Sequence, residues 1–164
     1  LMIQFGLNDD WAINDTIRAR GTIKGIGQDS LEIDNLITQK HEVVHSFGWY
    51  LRKYITEARA KGVEVFVCSQ VPFCRFENGK VQRKPEYYPL WARQVSEETK
   101  ANFIDLHEIS AKEYDKLGQE EVKKRFFTPK DNVHTNAAGA ELNAQSVVMG
   151  IKNMRNSKLR KYLL

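Results

Sequence analysis

The chain has 164 residues, 41% of them hydrophobic, which suits one globular domain around a single core. Its formal charge of +4 comes from Lys and Arg interspersed with acids along the whole length, a solvated surface rather than the concentrated basic face of a nucleic-acid-binding protein. No apolar run approaches the roughly 20 residues of a membrane span, no secretory signal is visible, and Cys68 and Cys74 match no four-ligand zinc pattern and read as free thiols.

Leu1 to Phe5 is a continuous apolar run, predicted as a buried strand that begins in mid-fold. Asp10 to Asp34, rich in glycine and without periodicity, is predicted as a long irregular insertion. The spacing of Val43, Val44, Phe47, Leu51, Tyr54, Ile55 and Ala58 then predicts a helix over Thr38 to Lys61, stopped by Gly62. A second strand is expected within Val63 to Val71, a helix over Glu86 to Lys100 with Trp91 and Val95 inward, and a third strand over Asn102 to Leu106. A short helix from Ile109 to Leu117 ends at Gly118, and a last long one runs from Ala137 to Met154 with Thr135 or Asn136 as its cap. Such alternation implies a right-handed α/β fold with a parallel sheet, whose ligands bind beyond the carboxyl ends of the strands. The loops that begin at Gly6, Pro72 and His107, and the segment before the last helix, are therefore the places to look for chemistry.

Two of them carry suggestive residues. Asp131-Asn132-Val133-His134 sets a carboxylate three residues before an imidazole, so that the carboxylate can hold Nδ1–H of His134 and leave Nε2 free as a general base. Gly6-Leu7-Asn8-Asp9 follows the first strand directly, where a small residue permits close backbone approach and the Asn8 amide can donate to a developing oxyanion. Either motif alone is an ordinary polar turn; together they are more specific.

Three stretches carry a resemblance to a known family: Ile3-Gln4-Phe5-Gly6-Leu7-Asn8-Asp9, His41-Glu42-Val43-Val44-His45 with Gly48-Trp49-Tyr50-Leu51, and Asp131-Asn132-Val133-His134-Thr135-Asn136-Ala137-Ala138-Gly139-Ala140. They resemble the rhamnogalacturonan acetylesterases among the SGNH or GDSL-like hydrolases. The resemblance implies a flavodoxin-like three-layer α/β/α sandwich, a serine-type acetylesterase without metal or other cofactor, an acetylated plant cell-wall polysaccharide such as pectin as substrate, and secretion or a periplasmic location in a bacterium. It assigns the catalytic base to His134, the orienting carboxylate to Asp131 and the oxyanion donor to Asn8. Leu7 departs from the histidine often found there in pectin-active members, which leaves the sugar open. Neither nucleic acid nor a membrane is expected as a partner.

The nucleophile is the gap in this reading. Family members open on a strand followed by Gly-Asp-Ser, and no such block precedes Leu1. Gly27-Gln28-Asp29-Ser30 is a poor substitute because no strand leads into it. The expectation is a single domain over residues 1–164, truncated at its N-terminus, with the serine and its strand in a segment outside this sequence. The rival is a non-catalytic carbohydrate-binding or structural fragment.

The remaining candidates are weaker. His41 and His45, read as one helical turn apart, have the spacing of a metal pair but no third ligand, so no metal is predicted. His107 either lines the cleft or is structural. Among Trp11, Tyr87, Tyr88 and Trp91, which offer stacking surfaces to a sugar, Trp11 is assigned to substrate binding with Gly6 and Leu7, and Trp91 to the core.

Overall fold

The computed structural model describes residues 1–83, 87–155 and 157–163. In chain order its elements are β1 (Met2–Ile3), β2 (Ser30–Asp34), β3 (His41–His45), α1 (Phe47–Ala60), β4 (Phe66–Cys68), β5 (Phe76–Glu77), β6 (Lys80–Val81), α2 (Tyr88–Thr99), β7 (Asn102–Ile104), α3 (Leu106–Leu117), α4 (Gln119–Phe126), α5 (Ala137–Lys152) and a closing 3₁₀ turn, Lys158–Tyr162. Strands β1, β4 and β7 form a parallel sheet in that order. A parallel sheet alternating with helices is the three-layer α/β/α class expected from the sequence. Two compact units divide the chain, one of residues 1–68 and 85–103 and one of 69–84 and 104–164.

In the first unit Ile3 pairs with Val67 and Met2 with Phe66, while Asn102 N–H donates to Val65 O at 3.2 Å from the opposite side of β4. The strands are shorter than the apolar runs that announce them: in the first run only Ile3 is buried, and in the second burial extends over 65–69 while Val63 N–H is still committed to Ala58 O of α1 at 3.1 Å. Phe47, Leu51 and Ile55 of α1 recur at intervals of four and pack with Val65, Val67, Tyr88 and Val95. Each fully buried aliphatic side chain of this kind contributes roughly 1.5–3 kcal/mol. Trp91 packs against the same cluster, as expected. The chelate of Glu98 by Arg52, at 2.7–3.1 Å, ties α2 to α1.

The helix predicted from Thr38 is corrected here. Residues 41–45 are a strand, paired antiparallel with β2, so the segment read as an irregular insertion also ends in a strand. Alternation decides the pairing: Ile33 and Val44 share the buried face, Val43 is exposed, and β-branched Val43-Val44 favours extended backbone. The helix begins after Ser46, whose hydroxyl accepts Trp49 N–H at 3.1 Å. His41 and His45 therefore lie on a strand and not on a helix surface.

The second unit contains three elements that periodicity does not reveal, the strands β5 and β6 of a hairpin and the helix α4. Asn78 and Gly79, at φ 50° and 77°, turn β5 into antiparallel β6, the Asn-Gly signature of a tight hairpin. α4 follows Gly118 directly, with Glu120 and Glu121 in its first turn and Lys123, Lys124 and Arg125 in its last, an arrangement that suits the helix dipole. Val122 and Phe126 of α4 join Ala111, Tyr114, Phe127, Cys74 and Val81 in one core. α3 starts at Leu106 instead of Ile109 because Asp105 caps it, accepting Glu108 N–H at 3.2 Å. The predicted start of α2 at Glu86 lies outside the described residues. Both cysteines are free and buried, and burial pushes the Cys68 thiol up to about 11.

Candidate active site

Residues 128–134 form a loop between α4 and α5 that is closed at its base. Thr128 N–H donates to His134 O at 3.0 Å, and Phe127 and Thr135 pair across it as an antiparallel bridge. Asn136 then serves both sides of the closure. Its amide donates to Arg125 O at 2.9 Å, its N–H to Phe126 O at 2.9 Å, and its Oδ1 accepts Gly139 N–H at 3.0 Å as the N-cap of α5. Of the two caps that the sequence allowed, Thr135 and Asn136, the latter is used.

Gly139 is fixed by this closure. A Cβ there would lie 2.3 Å from Phe126 O and 2.8 Å from Thr135 Cβ, and a backbone oxygen cannot swing aside as a flexible side chain could. Gly139→Ala is expected to destabilise the chain by about 1–3 kcal/mol, read as a lower midpoint in urea unfolding; an unchanged midpoint would show that α5 retreats from the loop at no cost.

Inside the loop Asp131 folds its carboxylate back over the following residues. One oxygen accepts the N–H groups of Val133 at 2.8 Å and His134 at 2.7 Å; the other meets His134 Nδ1 at 2.8 Å. The backbone N–H of His134, its ring and the Val133 N–H hold the Asp131 carboxyl well below the usual carboxylate range. Because the carboxylate accepts from Nδ1, the neutral ring keeps Nε2 unprotonated, and with the His134 side chain 72% exposed that nitrogen is open to a reactant. The outer side of the loop is tied as well: Cys74 N–H donates to Asn132 O at 2.9 Å, and Lys123 Nζ donates to Thr128 O at 2.9 Å and to Asp131 O. Sequence reasoning missed Lys123 because it missed α4.

Asn8 belongs to the first unit. Gly6, at φ 126°, turns the chain as it leaves β1, and its N–H donates to Asp9 Oδ2 at 2.9 Å. Asp9 is held on its far side by Thr22 N–H, which donates to Asp9 O at 3.1 Å, and burial raises its pKa. With the Gly6 amide occupied, Leu7 and Asn8 are the residues that this turn presents to solvent, and the Asn8 side chain makes no hydrogen bond among the described residues. Trp11 is exposed and carries the Arg18 guanidinium 4.0 Å above its ring.

The other candidates are accounted for locally. His41 Nδ1 lies 3.0 Å from Asp34, and the His45 ring stacks on Trp49 at 3.7 Å. His107 is buried, its Nδ1–H donating to Gln70 O at 2.9 Å. Ser30 opens β2 opposite His45 and does not sit on a strand-to-helix turn. Tyr88 is buried and Tyr87 half-exposed. Among the described residues no group of three or more His, Cys, Asp or Glu could hold a metal ion, and no helix is long and apolar enough to cross a membrane.

No family model matches the chain. It is 24% identical over 151 residues to a rhamnogalacturonan acetylesterase of Emericella nidulans, covering 92% of this chain and 60% of that one. It is 31% identical over 112 residues to a protein of Bacillus subtilis named "Probable rhamnogalacturonan acetylesterase YesY", covering 66% of this chain and 52% of the relative. The chain thus spans between half and three-fifths of the length of these relatives. The crystal structure of protein YXIM of Bacillus subtilis matches with a TM-score of 0.58 at 25% identity, over 62% of this chain and 29% of the other.

Proposed function

We propose that the chain is an SGNH/GDSL-like hydrolase, the acid–base part of a carbohydrate acetylesterase that removes acetyl groups from pectin-like plant cell-wall polysaccharide; its likeness to two rhamnogalacturonan acetylesterases supports this reading. The observation that carries this reading is the Asp131–His134 pair, in which a fixed carboxylate orients an imidazole and leaves its outer nitrogen bare. That is the arrangement a hydroxyl nucleophile needs.

In this reading a serine from the part of the protein outside these 164 residues attacks the acetyl carbonyl. His134 Nε2 takes the serine proton and returns it to the departing sugar oxygen. Water then loses a proton to the same nitrogen as it attacks the acyl-enzyme, releasing acetate and restoring the serine. Asn8 supplies an N–H donor to the oxyanion of each tetrahedral intermediate. Imidazole and amide suffice for these steps, so the proposal includes no metal or organic cofactor. Export from a bacterial cell, where such polysaccharide is met, belongs to the same proposal.

A serine-reactive phosphonate followed by intact-mass analysis tests it. The complete protein should gain one adduct, on a serine beyond this sequence, and lose hydrolysis of an aryl acetate in proportion. An adduct on Ser30 would overturn the placement of the nucleophile; no adduct and no hydrolysis by the complete protein would leave the chain a carbohydrate-binding fragment, then checked by retention on acetylated pectin.

Asn8→Ala in the complete protein is expected to lower kcat by on the order of 10² to 10³ with little change in KM. A raised KM with kcat unchanged would assign Asn8 to binding the sugar instead.

A further inference from the structure

We infer that Lys123 is the positioning residue of the catalytic pair: its ammonium group holds the Asp131 main chain in the orientation that aims the Asp131 carboxylate at His134 Nδ1. The inference rests on the assignment of the pair to catalysis, but its structural content does not.

The main chain of the loop accounts for the role. A loop of this size leaves several carbonyls without partners from regular structure, and each unpaired group is free to rotate its peptide plane. Here His134 O is taken by Thr128 N–H and Asn132 O by Cys74 N–H. The carbonyls of Thr128 and Asp131 both turn outward, to a single donor, the Lys123 ammonium. Lys123 is thus a charged side chain from outside the 128–134 loop that bonds its main chain at two points.

Which carbonyl it takes matters. The Asp131 carbonyl belongs to the peptide plane between Asp131 and Asn132, the first plane of the tight turn closed by the Asp131 carboxylate on the N–H groups of Val133 and His134. Rotation of that plane would move the two N–H donors away from the carboxylate and free its other oxygen from Nδ1. Lys123 comes from the last turn of α4, whose Val122 and Phe126 are anchored in the core, so the tether runs from a packed helix to the turn. An ammonium on a long stem suits this task because it donates to two oxygens at once without demanding a planar fork. Among the described residues the Lys123 ammonium bonds Thr128 O and Asp131 O and the His134 ring bonds Asp131, so the effect of Lys123 is exerted through Asp131.

The experiment is ¹⁵N NMR of the imidazoles in the chain itself, wild type against Lys123→Met, Lys123→Arg and Asp131→Asn, beside urea unfolding of each. Wild type should hold the neutral His134 ring in the tautomer protonated on Nδ1. Lys123→Met should shift the ring toward a mixture of tautomers while the remaining resonances and the fold are retained, and Lys123→Arg should restore the wild-type tautomer. In the complete protein, kcat of Lys123→Met should fall by about 10- to 100-fold with KM unchanged. A folded Lys123→Met with the wild-type tautomer would overturn the inference, as would a Lys123→Met chain that fails to fold, since the tether would then carry the domain and not the pair. A disturbed tautomer in a complete protein without esterase activity would leave the inference standing and remove the functional reading instead.

Discussion

His134→Ala in the complete protein is expected to abolish hydrolysis of an aryl acetate, with a loss of about 10⁵ to 10⁶ in kcat. The size follows from the single base in the proposed scheme: the same nitrogen activates the serine, protonates the leaving sugar and activates water, so its loss stops all three steps. The fold should survive. The ring is 72% exposed, its hydrogen bond runs to Asp131, and the main-chain N–H and carbonyl that close the loop remain in alanine. A melting temperature within a degree or two of wild type, with the rate gone, would separate chemistry from structure. Rates near wild type would sink the assignment of His134 as base and with it the reading of the loop as an active site.

The parts legible in the sequence were those carried by local chemistry. Asp131 and His134 stand three residues apart, which a turn can close without help from the rest of the chain, and α5 after Asn136 is a long periodic helix. The first strand and its Gly6 turn were legible for the same reason. What failed was the discrimination between periods over a short window: Val43, Val44 and Phe47 fit a helical stripe, yet two belong to a strand and one to a helix, with Ser46 as the boundary. The Asn78-Gly79 hairpin carried a strong signal in plain view and lay inside a stretch too short to show alternation. α4 is charged on most of its surface, so its inward pair, Val122 and Phe126, made no visible stripe; its value to the site lies in Lys123, whose acceptors are main-chain oxygens that no residue pattern records.

Asp131→Asn should leave the loop in place and lower kcat by on the order of 10⁴. An asparagine at 131 still offers a carbonyl oxygen to the Val133 and His134 N–H groups, so the turn can close. Its amide nitrogen, however, faces His134 Nδ1 as a donor where the carboxylate was an acceptor. The neutral ring is then favoured with its proton on Nε2, the nitrogen that must receive a proton from the serine, and the base is lost through its tautomer while the shape is kept. The pH dependence of stability gives an independent check. The folded pKa of Asp131 lies below the ordinary value of 3.8, chiefly through the His134 N–H and ring, so its stabilisation is fully present above pH 3.8 and is lost as the pH falls through the lower folded value. The gap in unfolding free energy between wild type and Asp131→Asn should therefore be present above pH 3.8 and narrow as the pH falls below it. Convergence at higher pH would mean that the carboxylate is not held by these three donors; a stable gap with an unimpaired rate would make the pair a structural turn.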